Sequence, residues 1–131
     1  MPQPWPLIVA RYEEKIATKW VDETFNQPLN AIRNIAGEIE RSWLGNTLYG
    51  WTSMHDLCIQ QTDHKPYSRP YLRISPLLSG ELDFRFVDTP VATRQWHRVV
   101  PPGDAMTTFS NFLDAVRWIE VARPGTTSET N

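Results

Sequence analysis

The chain has 131 residues, 40% of them hydrophobic and 21% charged, with a formal net charge of −2; this balance suits one globular domain and excludes a disordered chain. Thirteen Lys and Arg stand against fifteen Asp and Glu, scattered singly, so no electrostatic footprint for nucleic acid is present and no such partner is expected. A lone cysteine, Cys58, excludes an internal disulfide framework and a four-cysteine zinc site.

The lead-in Met1-Pro2-Gln3-Pro4-Trp5-Pro6 has no basic start, and the apolar run Leu7 to Ala10 is too short for a signal segment or a membrane span. The expected compartment is therefore the cytoplasm, with no membrane partner. Ile8, Tyr12, Ile16 and Trp20 recur every fourth residue, which predicts an amphipathic helix from about Leu7 to Thr24. A second helix is marked by Asn26 as cap and Pro28 in the first turn, where its missing N–H costs nothing. Leu29, Ile32, Ala36, Ile39 and Trp43 form its stripe, and Gly45-Asn46 should close it by a left-handed turn.

The period then changes. Thr47 to Gln60 reads as one long or two short strands bent near Gly50, and Gln61 to Pro70 as the longest loop. Tyr71–Ser75, Glu81–Asp88 and Arg94–Val100 follow as strands joined by short turns, and short joins mean antiparallel hairpins. Pro101-Pro102-Gly103 stops the last strand, and Asp104 should cap a third helix whose stripe is Met106, Phe109, Leu113 and Val116, with Phe112 and Ile119 beside it. The prediction is an α+β domain over 1–123: two N-terminal helices, an antiparallel meander of about four strands, and a C-terminal helix, all helices on one sheet face. Residues 1–6 read as an extended lead-in and 124–131 as a disordered polar tail.

Symmetric closure of the first hairpin pairs Ile74 with Leu82, Leu72 with Phe84, Tyr71 with Arg85 and Arg73 with Asp83; the second pairs Phe86 with Trp96 and Arg85 with His97. Alternation then gives a core face of Leu72, Ile74, Leu82, Phe84, Phe86 and Trp96, with Arg98 misplaced among them unless it snorkels to the edge. The opposite face carries Tyr71, Arg73, Asp83, Arg85 and His97. Two arginines, a tyrosine and a histidine converging on a sheet can hold an anionic ligand; the plainer alternative is a solvated face with a cross-strand Arg73–Asp83 pair.

The loop offers Asp63, His64, Lys65, Tyr67 and Arg69 as further candidates. His55, Asp56, Cys58, Asp63 and His64 are dense in sequence, but alternation sends His55 to the face of Leu57 and Ile59 and Asp56 and Cys58 to the other, which argues against a metal site or a cysteine–histidine pair. No phosphate loop, nucleophile elbow, zinc helix or calcium loop is present, and no cofactor is expected. Trp20, Trp43, Trp96 and Trp118 fall on core stripes; Trp5 and Trp51 are less tied down. The leading expectation is a non-catalytic binding or interaction module, with a homodimer as one form. A small enzyme using His97 or His55 as acid–base, with Arg73 and Arg85 on an anionic substrate, is the rival. An immunity-type regulator of a basic partner is the third reading.

Overall fold

The structure, a computed structural model, describes residues 2–18, 23–88 and 96–118. In chain order these form helices α1 (Trp5–Ala17) and α2 (Asn26–Arg41), strands β1 (Tyr49–Ser53), β2 (Asp56–Gln60), β3 (Tyr71–Pro76), β4 (Leu82–Val87) and β5 (Trp96–Val100), and helix α3 (Ala105–Ala115). Short 3-10 turns lie at Glu23–Phe25, Trp43–Asn46 and Pro102–Asp104. The expected class is therefore the observed one: two helices, an antiparallel meander and a closing helix. The meander has five strands rather than about four, in the spatial order β1-β2-β3-β4-β5.

The fifth strand comes from a hairpin inside Thr47–Gln60. The chain does not bend at Gly50; it reverses at Met54-His55, where Met54 takes φ 57, and Ser53 pairs with Asp56 across the turn. His55 therefore sits in the turn and shares no strand face with Leu57 and Ile59. Gly50 has a different use. Trp5 lies on it so closely that a Cβ there would stand 2.6 Å from the indole Cη2.

α1 begins earlier and ends earlier than its stripe predicts. Thr18 leaves the helix extended, its N–H bonded to Glu14 O, so the helix stops short of Thr24; Trp20 lies outside the described residues. In α2, Asn26 is already helical and Phe25 takes the cap position with no side-chain bond. The helix stops at Arg41, before Gly45-Asn46. Ser42 turns extended there, and its Oγ accepts the N–H of Leu44 to open the 3-10 turn. Gly45 keeps a structural role without a left-handed turn, since a Cβ would meet Ile39 O at 2.8 Å. Asp104 precedes α3 but makes no side-chain cap; its carbonyl accepts from Thr108 Oγ1 instead. Met106 of the predicted stripe faces solvent, while Phe109, Phe112 and Leu113 are buried. Ile119, the turn at 89–93 and the tail from residue 124 lie outside the described residues.

One cluster of buried side chains joins the helices to the sheet: Ile8 and Tyr12 from α1, Leu29, Ile32, Ile35 and Ile39 from α2, and Phe109, Phe112 and Leu113 from α3, against Leu57, Ile59, Leu72, Ile74, Leu82, Phe84 and Phe86. The predicted core face is thus correct, with Trp96 half-buried at its margin. Its register is not. Ile74 pairs with Phe84, Leu72 with Phe86, Arg73 with Arg85 and Ser75 with Asp83, two residues away from symmetric closure. A two-residue slip preserves the facing of every side chain, which is why the core face survives. The β4–β5 pairs Phe86–Trp96 and Arg85–His97 are as expected. Arg98 does point to the core side and escapes by snorkelling: its guanidinium lies over the Trp96 ring at 4.9 Å, and Nη1 donates to His97 O at 2.8 Å.

The lead-in is not loose. Gln3 N donates to Gly50 O at 2.7 Å, its side-chain oxygen accepts from Thr52 N at 3.3 Å, and Trp5 Nε1 donates to Leu48 O at 2.9 Å. These bonds close the outer edge of β1. Among the described residues, no helix is long and apolar enough to cross a membrane.

Candidate functional site

The sheet face away from the helices is built by strand alternation. Register places Trp51 opposite Cys58, Cys58 opposite Arg73, Arg73 opposite Arg85 and Arg85 opposite His97. These five side chains make one row across the whole sheet. On one side of it runs a second row with Ser53, Asp56, Ser75, Asp83 and Val99; on the other lie Gln60, Tyr71 and Val87. Arg73, Arg85, His97 and Tyr71 therefore do share the predicted face.

Among the described residues, the carboxylates bonded to the row stand on one side of it. Arg73 Nε donates to Asp56 Oδ2 at 2.7 Å. Asp83 Oδ1 lies 2.6 Å from His97 Nε2, and Arg85 Nη2 is 3.4 Å from Asp83 Oδ2 and 3.4 Å from His97 Nε2. The expected Arg73–Asp83 pair is replaced by Arg73–Asp56, because the two-residue slip sets Asp83 beside Ser75. Burial on its own would lower the Arg73 pKa, but the Asp56 bond, with Cys58 and Tyr67 nearby, raises it above its usual value. Arg73 is a fixed cation.

The long loop joins this face. Gln60, fully buried, donates through Nε2 to Thr62 O at 2.8 Å and to His64 O at 2.7 Å, folding the chain back on leaving β2. Tyr67, at φ 70, then lays its ring edge-on to Trp51 at 5.2 Å and to Tyr71 at 5.3 Å, with Trp51 and Tyr71 5.7 Å apart. Its side chain reaches the Cys58 thiol. Cys58 is small between two large neighbours, and Tyr67 fills the space above it. Of the loop candidates, the structure brings only Tyr67 to the sheet. Asp63 and His64 side chains are exposed, and Arg69 donates to Ser68 O at 3.3 Å.

Trp51 and Gln60 belong to this site and were not among the sequence candidates; Asp56 and Cys58, which alternation sends to the face away from Leu57 and Ile59, do lie on that face and belong to it as well. Their membership depends on the Met54-His55 turn, which lacks the Asn-Gly or Asp-Gly pair that usually announces a two-residue hairpin. Trp51, less tied down in sequence, is buried under Tyr67, with its indole Nε1 unpartnered among the described residues.

Burial displaces two of the candidate groups, the Cys58 thiol and the His55 imidazole, from their ordinary titration ranges. Burial pushes the Cys58 thiol up to about 12, against the opposing pull of Arg73. His55 lies elsewhere, its carbonyl accepting from Tyr12 Oη at 2.9 Å and its ring 5.8 Å from Phe25. Burial, then the Lys15 charge, lower its pKa, and Nδ1 has no partner among the described residues. No group of three or more His, Cys, Asp or Glu side chains there is arranged to hold a metal. An open groove of about 550 Å³ lies away from the row, against the lead-in, lined by Gln3, Trp5, Glu40, Asn46 and Tyr49 among others. No protein-family model matches this sequence, and comparison with the curated proteins and with the solved structures gives no match.

Proposed function

We propose that this protein is a non-catalytic binding module that receives an anionic group on its outward sheet face. The observation that carries the reading is the pairing of Arg73 directly with Arg85. Like charges opposite each other on neighbouring strands cost stability, of order 0.2–1 kcal/mol, and a bound oxyanion turns that cost into a two-pronged contact. Among the described residues, the carboxylates bonded to the two arginines, Asp56 and Asp83, both stand on one side of the row. Tyr67 and Tyr71, beside the arginines, are residue types that anchor binding surfaces.

One feature weighs against the enzymatic rival: the thiol on this face is buried, its pKa pushed up to about 12, so that it is protonated at neutral pH. A carboxylate of a protein partner, or of a second copy, meets the same chemistry at the arginines. A lone, buried, reduced thiol suits the cytoplasm as the place of action.

The test is a ¹H–¹⁵N titration with sodium phosphate and sodium acetate at constant ionic strength. Saturable shifts confined to the amides and side chains of Tyr71, Arg73, Arg85 and His97 are expected, and Arg73→Gln with Arg85→Gln should abolish them. Uniform, non-saturating drift across the whole spectrum would sink the reading.

A further inference from the structure

The row of arginines has two unlike flanks, and that asymmetry specifies what kind of anion fits. On the Asp56–Asp83 flank an incoming oxyanion meets two carboxylates. On the opposite flank the nearest outward residues are Tyr71 on β3 and Val87 on β4, which pair with each other. Among the described residues no carboxylate is bonded to the arginines from that flank, and Tyr67 rises from the loop beside Tyr71 with about half its surface exposed, at 51%. The seat so defined has Arg73 and Arg85 at one end, each held on its far side by an aspartate, with a tyrosine and a valine as its floor and a tyrosine ring as a side wall.

We infer that the ligand is a small aryl oxyanion, a planar ring bearing a carboxylate or phosphate, with the charge on Arg73 and Arg85 and the ring over Tyr71 and Val87 against Tyr67. This rests on the anion-binding reading above and adds the ring. Arg73 is oriented for the task. Its Nε is committed to Asp56, which leaves the terminal nitrogens as the donors available to a second oxyanion, and a guanidinium offers such donors in a planar fork. From the Arg73–Arg85 pair to the Tyr71–Val87 pair is two residues of strand, about 6.7 Å, the reach of one ring with its charged substituent. An aromatic body gains there from edge and face contacts with tyrosine, whereas an isolated anion leaves Tyr71 and Val87 unused. A cationic ligand is disfavoured, since Trp51, Tyr67 and Tyr71 pack on one another at 5.2–5.7 Å with no room between them, and Arg73 stands alongside.

The experiment compares sodium benzoate, sodium phenyl phosphate and sodium acetate by NMR titration of the whole chain at fixed ionic strength. Benzoate or phenyl phosphate should shift Tyr67, Tyr71, Arg73, Arg85 and Val87 saturably, at a concentration at least ten-fold below that needed for acetate. The tighter of the two names the charged group. Arg85→Gln, at an exposed side chain, should weaken binding about ten-fold without unfolding the protein, and Tyr71→Ala should bring benzoate down to the level of acetate. Acetate binding as well as benzoate overturns the ring and leaves the anion site standing. If none of the three gives saturable shifts on this face, the inference and the anion-binding reading fall together. Shifts that map to the groove at Gln3 and Trp5 instead overturn both as well.

Discussion

Gly50 shows how much one residue controls at the start of the sheet. Its backbone accepts Gln3 N, and its missing side chain lets the Trp5 ring lie flat on β1 while the indole N–H reaches Leu48 O. A methyl group there would stand 2.6 Å from Trp5 Cη2 and 3.0 Å from Cζ2, inside the contact distance of carbon atoms. The obstacle is a rigid ring held in place by a hydrogen bond, so it cannot swing aside as a lysine would. Gly50→Ala should therefore destabilise the fold by about 1–3 kcal/mol, the usual cost of overpacking, read as a lower urea midpoint with an unchanged slope. Trp5→Phe alone loses the indole bond and some buried area. Because the smaller ring relieves the clash, the double variant should be more stable than the sum of the two single effects requires. Strict additivity would show that Trp5 and Gly50 do not touch in the way described.

Among the elements, the 61–70 loop changes the meaning of the sheet face most. Alternation alone assigns Trp51, Cys58 and Gln60 to a solvated surface, yet all three are buried. Their burial comes from Tyr67 and from the Gln60 side chain gripping the carbonyls of Thr62 and His64. Tyr67→Ala should open the space over Cys58. In the parent protein at pH 8, a thiol reagent should label Cys58 only as fast as the loop or the fold opens, and in Tyr67→Ala labelling should be at least ten-fold faster with little change in the helix signal by circular dichroism. Equal rates would mean that something other than Tyr67 shields the thiol. The loop also marks where sequence reading reached its limit. Helical stripes and strand alternation were legible because each is a local period, and they placed Tyr71, Arg73, Arg85 and His97 on one face. What joined the loop to that face was not periodic: a hairpin at Met54-His55 without its usual residues, and one glutamine bonding to two carbonyls. The register of β3 against β4 was also hidden. Pro76 pairs with Leu82 inside the ladder, and Leu77 N donates to Glu81 O at 2.9 Å, so the turn is tighter than its composition announces.

For the whole molecule, burial of titratable groups sets the pH range over which the fold is most stable. On the acid side the relevant group is His55. Its pKa in the folded chain is lowered below the ordinary 6.5 by burial and by Lys15, with Asp56 opposing, and Nδ1 has no acceptor among the described residues to receive a proton. As pH falls through 6.5 the unfolded chain takes up a proton that the folded chain refuses, so stability drops until the folded pKa is passed and then levels. On the alkaline side, Tyr12 and Cys58 act in the opposite sense. Burial raises Tyr12 well above 10 and takes Cys58 from 9.0 to about 12. Above about pH 9 the unfolded chain gives up protons that the folded chain keeps, and stability falls as pH rises towards the folded values. Maximum stability should therefore lie between about pH 6.5 and 9, measured as urea midpoints across the range. His55→Gln should flatten the acid limb and leave the alkaline one. Tyr12→Phe should make the alkaline limb shallower above about pH 10 and leave the part that Cys58 contributes from about pH 9, at a cost of about 1 kcal/mol throughout for the lost bond to His55 O. If the acid limb is unchanged in His55→Gln, groups other than His55 govern it.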